Sequence, residues 1–183
     1  MLNIILLRHS QVIEKYQGKY NGHIDIALSL TGKKEAKSRA LELKHITFDK
    51  VYCSDLKRAR ETLDAFDLAV KPIFTNQLRE KSWGIDEGKS FQEIESRGIK
   101  YQNFEQWLSE LDGEDITLYQ ERIKKYFYEI IFKQNVENIL VVTHSGVIKT
   151  ILGILKNISL EEAFSISLSY SQYISINSKE YNF

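Results

Sequence analysis

The stretch Ile4-Ile5-Leu6-Leu7-Arg8-His9-Ser10 decides the fold class, and Ile139-Leu140-Val141-Val142-Thr143-His144-Ser145-Gly146 follows the same design near the other end of the chain. In each stretch, four apolar residues run without a break toward a histidine. A short, continuous apolar run between polar residues is typical of a strand that is buried on both faces. The sequence therefore predicts two buried strands, each with a histidine just beyond its end.

Weaker patterns lie between these two strands. Val51–Cys53 predicts a third strand, and Pro72–Phe74 predicts a fourth at an edge of the sheet, because proline cannot donate a ladder hydrogen bond. Apolar residues at helical spacing follow Thr31 and the capping-box patterns Thr117–Gln120 and Ser159–Glu162, which are typical helix starts. Strands that alternate with helices predict an α/β domain of three layers, α/β/α, with a mostly parallel central sheet.

Residues 1–183 are predicted to form a single domain, since this length suits one domain and no repeat, low-complexity segment or Pro/Gly-rich linker interrupts it. Residues 81–116 are interpreted as a lid-like insertion, with Trp107 as one of its apolar anchors. Between residues 166 and 176 the apolar residues alternate with mostly serines, which predicts a half-exposed strand or a hairpin.

The composition excludes several classes of function. Lys and Arg number 25, as do Asp and Glu, so the net charge is zero, although residues 1–60 hold twelve basic and six acidic side chains. A balanced chain does not favour nucleic acid or a membrane surface as a partner. The single cysteine excludes an internal disulfide framework and a multi-cysteine zinc site. The apolar start is too short for a membrane span and lacks the marks of a signal peptide, so we expect a cytoplasmic protein.

Cationic and imidazole side chains follow the predicted strands. Arg8 and His9 follow the first strand, Arg58 comes shortly after the second, and His144 follows the strand at Ile139–Val142. Because ligands of an open parallel sheet bind beyond the carboxyl ends of its strands, we expect these side chains to meet at one edge. Guanidinium groups match the oxygens of a phosphoryl dianion and repel a metal ion, and the sequence has no His-x-His or His-Glu-x-x-His spacing. The set predicts a site for a phosphate ester, with no metal and no cofactor.

The same residues suggest a reaction. A neutral imidazole can attack phosphorus and form a phosphohistidine, which divides one difficult displacement into two easier ones. The leaving oxygen needs a proton, and Glu80, which follows the edge strand, is the candidate donor. His23 is a candidate for contact with the leaving group, and the alternative is an ordinary histidine of a surface loop.

Five segments follow one another along the chain in a pattern that carries a family resemblance. They are Leu7–Ser10, Gly18–Ser29, Tyr52–Thr62, Leu78–Gly88 and Val141–Ile148. In this order they resemble the signature motifs of the histidine phosphatase (phosphoglycerate mutase-like) superfamily, and the resemblance covers nearly the whole chain.

The resemblance implies roles for individual residues. It makes His9 the nucleophile and Glu80 the general acid and then the base. The residues that it assigns to the phosphate pocket are Arg8, Arg58 and His144, and those that it assigns to secondary phosphate contacts in substrate binding are Asn21, Gly22 and the Ser145 amide. Ser10 and Ser145 replace glycines of the family pattern, and Lys15 stands where an asparagine is usual. These departures bear on the range of substrates more than on the chemistry.

Length and local pattern narrow the expected activity. Mutases of this superfamily use inserted segments for which this chain has little room, which favours hydrolysis. The stretches Tyr20–His23, Phe104–Trp107 and Gly113–Asp115 are similar to those of α-ribazole phosphatases of cobalamin assembly. We therefore expect a metal-independent phosphomonoesterase, monomeric or homodimeric, whose partner is a small phosphate ester such as α-ribazole 5′-phosphate.

Two alternatives stay open. One is phosphoryl transfer of the phosphoglycerate mutase type. The other is a catalytically idle phosphate-binding regulatory module, for which a proton donor such as Glu80 would have no use. A nucleotide-binding Rossmann protein is excluded, because no Gly-x-Gly-x-x-Gly follows the first strand.

Overall fold

The apolar runs form a central sheet in the computed structural model, which describes residues 1–181. The strands of this part of the chain are β1 (Asn3–Arg8), β2 (Lys50–Ser54), β3 (Ile73–Thr75), β4 (Asn138–Thr143) and β5 (Tyr173–Asn177). They lie in the order β3-β2-β4-β1-β5, with β5 antiparallel to β1 and the other pairs parallel. The predicted strands and the edge position of β3 are confirmed.

Helices cover both faces of this sheet. In the described residues they are α1 (Leu30–Leu43), α2 (Lys57–Leu63), α3 (Phe91–Glu95), α4 (Phe104–Glu110), α5 (Ile116–Tyr126), α6 (Ser145–Lys156) and α7 (Leu160–Ser165). Successive side chains of a strand point to opposite faces. Ile4 and Leu6 of β1 accordingly belong to a buried cluster with α5 and α6, while Ile5 and Leu7 pack with α1 and α2. The three-layer α/β/α prediction is confirmed.

The helix starts predicted at Thr31 and Thr117 are each wrong by two residues. Ser159 caps α7 in a capping box, as the sequence predicts. The cap of α1, however, is Ser29 and not Thr31, and the cap of α5 is Asp115 and not Thr117. A cap must keep an extended backbone while its side chain accepts from the first turn. Both threonines already lie inside that first turn and therefore cannot cap it.

The alternating segment near the end of the chain is a strand only in its second half. Residues 166–172 are irregular, and the antiparallel strand begins at Tyr173. Leu168 is buried even so, which shows that side chains can alternate in burial without a ladder of backbone hydrogen bonds. The carbonyl of Leu168 accepts from Arg8 instead.

Residues 81–116 hold α3 and α4 and pack around a small cluster of their own. Its buried members are Trp83, Ile94, Trp107, Leu108 and Leu111. The segment lies between β3 and α5 in the chain. Its Trp83 lines a cavity that Arg8 and His9 also line. Within residues 1–181, no helix is both long enough and apolar enough to cross a membrane.

Candidate active site

A cavity of about 200 Å³ opens at the carboxyl ends of β1 and β4. Its wall includes Arg8, His9, Asn21, Glu80 and Ser145, which are five of the eight residues that the sequence singled out. These side chains come from segments far apart in the chain, and the parallel sheet brings them together because the ends of its strands share one edge.

His9 is held as a neutral imidazole. Its side chain is almost fully buried, and Nδ1 lies 2.8 Å from the carbonyl oxygen of Ser10. A carbonyl oxygen only accepts, so Nδ1 carries the proton and Nε2 keeps a free lone pair. Burial, followed by the positive charges of Arg58 and Arg8, holds the pKa of His9 well below its ordinary value. His9 can therefore act as a nucleophile at neutral pH.

Arg8 offers an unused donor beside this imidazole. Its Nη1 donates to the carbonyl of Leu168, and the guanidinium carbon lies 4.1 Å from the centre of the Tyr170 ring. Its Nε is buried and has no hydrogen-bond partner among the described residues. A buried donor without a partner is costly, so this group is suited to an anionic ligand that enters the cavity.

Arg58 and His144 lie next to His9 but behind the cavity, and each is only 1% exposed. The rings of His9 and His144 are 5.2 Å apart. Arg58 Nε donates to His144 Nδ1 over 3.2 Å, so this nitrogen is unprotonated, and His144 Nε2 donates to the hydroxyl of Ser54 over 2.8 Å. Burial lowers the pKa of Arg58 to about 10, which leaves it cationic at neutral pH. The structure thus brings both residues to the site, with their N–H groups directed at protein acceptors.

The loop at residues 21–24 is held from both sides. Arg58 donates to the carbonyls of residues 21, 22 and 24, while the Glu87 carboxylate accepts from the amides of Gly22 (2.8 Å), His23 (2.7 Å) and Ile24 (3.3 Å). A Cβ on Gly22 would lie 2.2 Å from the carbonyl oxygen of Lys81, so only glycine fits. Gly22 therefore serves the loop, and its amide donates to Glu87; a contact between Gly22 and the substrate stays a prediction.

Asn21 precedes this clamp and reaches the cavity wall. Its Nδ2 donates to the carbonyl of Tyr16, and its Oδ1 is buried with no partner in the described structure. The free atom is an acceptor, which suits a hydroxyl or amino group of a ligand better than a phosphate oxygen.

Three donors fix the Glu80 carboxylate. The Tyr119 hydroxyl donates to Oε1 over 2.8 Å, the Lys81 amide donates to Oε1 over 3.1 Å, and the Gly146 amide donates to Oε2 over 2.8 Å. His23, the other candidate at this site, donates from Nε2 to the Glu80 carbonyl over 3.0 Å. It thus steadies the backbone of Glu80.

The sequence did not single out Tyr119, Glu87 or Lys149 as contributors to the site, nor Tyr170, whose ring lies beside Arg8 and His9. Tyr119 lies on the buried face of α5, where its pattern predicts a core residue. Glu87 accepts hydrogen bonds from a loop more than 60 residues away. Lys149 lines the cavity from the second turn of α6. Lys149 carries a local signal, because it lies one helical turn after the His144-Ser145-Gly146 stretch, and Glu87 lies within the Leu78–Gly88 motif. In residues 1–181 no group of three or more His, Cys, Asp or Glu side chains is placed to hold a metal ion.

Comparison with known proteins shows which sequences and folds this chain resembles. The sequence model of the "Histidine phosphatase superfamily (branch 1)" matches residues 4–183. The adenosylcobalamin/alpha-ribazole phosphatase of Escherichia coli is 25% identical over 188 residues, which is 97% of this chain and 92% of that protein. Phosphoserine phosphatase 1 of Hydrogenobacter thermophilus is 28% identical over 191 residues, covering 98% and 88%. The crystal structure of the alpha-ribazole phosphatase from Shigella flexneri superposes with a TM-score of 0.84 at 22% identity, covering 96% of this chain and 90% of that one.

Proposed function

This chain belongs to the histidine phosphatase superfamily, and we propose that it hydrolyses small phosphate monoesters through a phosphohistidine on His9, without a metal ion. The observation that carries the proposal is the neutral His9, whose Nε2 lone pair is free beside the unpartnered Nε–H of Arg8. A nucleophile and a donor for phosphoryl oxygens thus meet in one cavity.

The reaction has two steps. In the first, His9 Nε2 forms a bond to phosphorus while the bond from phosphorus to the ester oxygen breaks, and protonated Glu80 gives its proton to the leaving oxygen. In the second, Glu80 takes a proton from water, the water oxygen attacks phosphorus, and the bond to Nε2 breaks to release inorganic phosphate. Arg8 binds the phosphoryl oxygens, and the charge of Arg58 behind the cavity stabilises them further.

For the substrate we propose α-ribazole 5′-phosphate. The aromatic rings of Tyr20 and Trp83 stand in the cavity wall, where they suit a flat base attached to the phosphate-bearing sugar. The relative from Escherichia coli is named for this substrate. Trp83 belongs to residues 81–116, which we propose form a lid over the leaving group.

Turnover of p-nitrophenyl phosphate in the presence of EDTA tests the mechanism. We expect the unaltered protein to release nitrophenolate and His9→Ala to release none, because the substitution removes the nitrogen that we propose attacks phosphorus. His45→Ala is the matched control, since His45 is exposed and bonds only to the nearby carbonyl of Glu42 among the described contacts. Full activity in His9→Ala, or a requirement for added divalent metal, would contradict the mechanism.

A comparison of three phosphate esters tests the substrate. We expect rapid release of inorganic phosphate from α-ribazole 5′-phosphate and much slower release from phosphoserine and 3-phosphoglycerate. Phosphate moving between positions of 3-phosphoglycerate would favour the mutase alternative. Phosphate binding without turnover of any ester would favour the idle regulatory module.

A further inference from the structure

The hydroxyl of Tyr119 reaches the Glu80 carboxylate from inside the core. Tyr119 lies on α5, is fully buried, and donates to Glu80 Oε1 over 2.8 Å. Burial, followed by the neighbouring charge of Glu80, raises the pKa of Tyr119 well above its ordinary value. The hydroxyl therefore stays protonated at neutral pH and remains a constant donor.

The donors divide unequally between the two carboxylate oxygens. Oε1 accepts from Tyr119 and from the Lys81 amide, while Oε2 accepts from the Gly146 amide alone. A carboxylate oxygen has two lone pairs. Both lone pairs of Oε1 are thus in use, and Oε2 keeps one that is free to carry a proton.

We propose that Tyr119 is a positioning residue that assigns the transferable proton of Glu80 to Oε2 and fixes that oxygen against the leaving group. The proposal rests on the role of Glu80 in the proposed function. Tyr119 keeps its own proton throughout. Its hydrogen bond prevents rotation of the carboxyl group, and the proton passes from Oε2 to the ester oxygen as the bond to phosphorus breaks.

The test is Tyr119→Phe, assayed with two esters that differ in their need for a proton. Nitrophenolate leaves without protonation, whereas the alkoxide of β-glycerophosphate must be protonated. We expect kcat for β-glycerophosphate to fall about tenfold or more, with KM nearly unchanged and a loss of less than threefold for p-nitrophenyl phosphate. A purely structural role in the core would lower both activities equally, and that result would overturn the proposal.

A double variant shows whether the effect passes through Glu80. In a Glu80→Gln background, Tyr119→Phe should cause no further loss with β-glycerophosphate, because the transferable proton is already gone. Independent, multiplying losses would overturn the proposal. Tyr52→Phe is the matched control: Tyr52 is equally buried in the same core cluster, packs edge-on against Tyr126, and has no described contact with Glu80.

The outcomes also separate this proposal from the proposed function. If Glu80→Gln itself loses the same activity with both esters, Glu80 is not the proton donor and both ideas fail. If Glu80→Gln selectively loses activity with β-glycerophosphate while Tyr119→Phe does not, the proposed function stands and the positioning role of Tyr119 is wrong.

Discussion

The two arginines of the site use their N–H groups differently. Arg58 directs most of its donors to the carbonyls of residues 21, 22 and 24 and to His144, which leaves little of its fork for a ligand. Arg8 keeps a buried Nε without a partner in the described chain. At the scale of single residues, Arg8 is therefore the arginine that we propose hydrogen-bonds the phosphate directly. Arg58 supplies charge and holds the loop that shapes the cavity.

Gly146 is a second residue whose chemistry depends on close approach. A Cβ at this position would lie 2.1 Å from Glu80 Oε1 and 2.8 Å from the Tyr119 hydroxyl. We expect Gly146→Ala to displace the carboxylate and to lower kcat for β-glycerophosphate by roughly a hundredfold or more, which is the usual contribution of a positioned acid.

Steady-state kinetics and thermal unfolding of this variant check the expectation. Gly153→Ala in the same helix is the control, because its added Cβ would meet Ala163 Cβ at 3.0 Å, at a place with no described contact to Glu80. It should keep its activity even if it unfolds at a somewhat lower temperature. Normal turnover of β-glycerophosphate by Gly146→Ala would mean that the distance to Glu80 is not critical.

The residues that the sequence predicts well are those governed by a local rule. Arg8, His9 and His144 were located by the rule that parallel strands end at one edge of a sheet. Tyr119 and Glu87 follow no such rule, because a tyrosine on an apolar helix face fits a core equally well. Three of the amides that Glu87 binds lie more than 60 residues earlier in the chain. Such pairings exist only once the chain has folded.

At the scale of elements, strands are easier to predict than the first residues of helices. A continuous apolar run reports burial on both faces directly, and β1 and β4 follow from it. A helix start depends on which of several competing residues keeps an extended backbone. Before α5 both Asp115 and Thr117 can cap, and the backbone of Asp115, with φ −58° and ψ 138°, decides the matter.

This competition predicts unequal effects of two neighbouring substitutions. Asp115 Oδ1 accepts from the amides of Thr117 (2.8 Å) and Leu118 (3.0 Å), so Asp115→Ala should lower the free energy of unfolding by about 1 kcal/mol. Thr117 is equally exposed and lies within the first turn, so Thr117→Ala should change it by less than half as much. Urea unfolding of both variants measures the difference. A larger loss for Thr117→Ala would show that Thr117 caps α5, as the sequence predicts, and that Asp115 does not.

At the scale of the whole molecule, the fold buries two neutral histidines beside the charged side chains of Arg8 and Arg58. His9 and His144 are almost completely buried, and burial followed by the charge of Arg58 holds both pKa values well below the ordinary value. His23 is shifted in the same direction, first by burial and then by Arg79. The sequence predicts that His9 and His144 lie near arginines, but it does not show how deeply they are buried. Burial is the larger cause of the lowered pKa values.

The depressed pKa values fix the sign of the pH dependence of stability. In the unfolded chain a histidine takes up a proton near pH 6.5, whereas the folded protein resists protonation at His9 and His144. Below about pH 6.5 the unfolded state thus binds more protons, and the free energy of unfolding falls as the pH falls. We therefore expect the protein to be less stable to unfolding at pH 5.5 than at pH 7.5, with both imidazoles contributing to the loss.

Urea unfolding at pH 7.5 and 5.5 measures this loss, and both pH values lie above the ordinary pKa values of carboxyl groups. The variant His144→Gln should lose its share of the pH dependence, whatever its stability at pH 7.5, because glutamine does not titrate. His45→Gln should behave like the unaltered protein, since His45 is exposed. An equal free energy of unfolding at the two pH values would mean that His9 and His144 accept protons in the folded state. It would also remove the basis for a neutral nucleophile in this cavity.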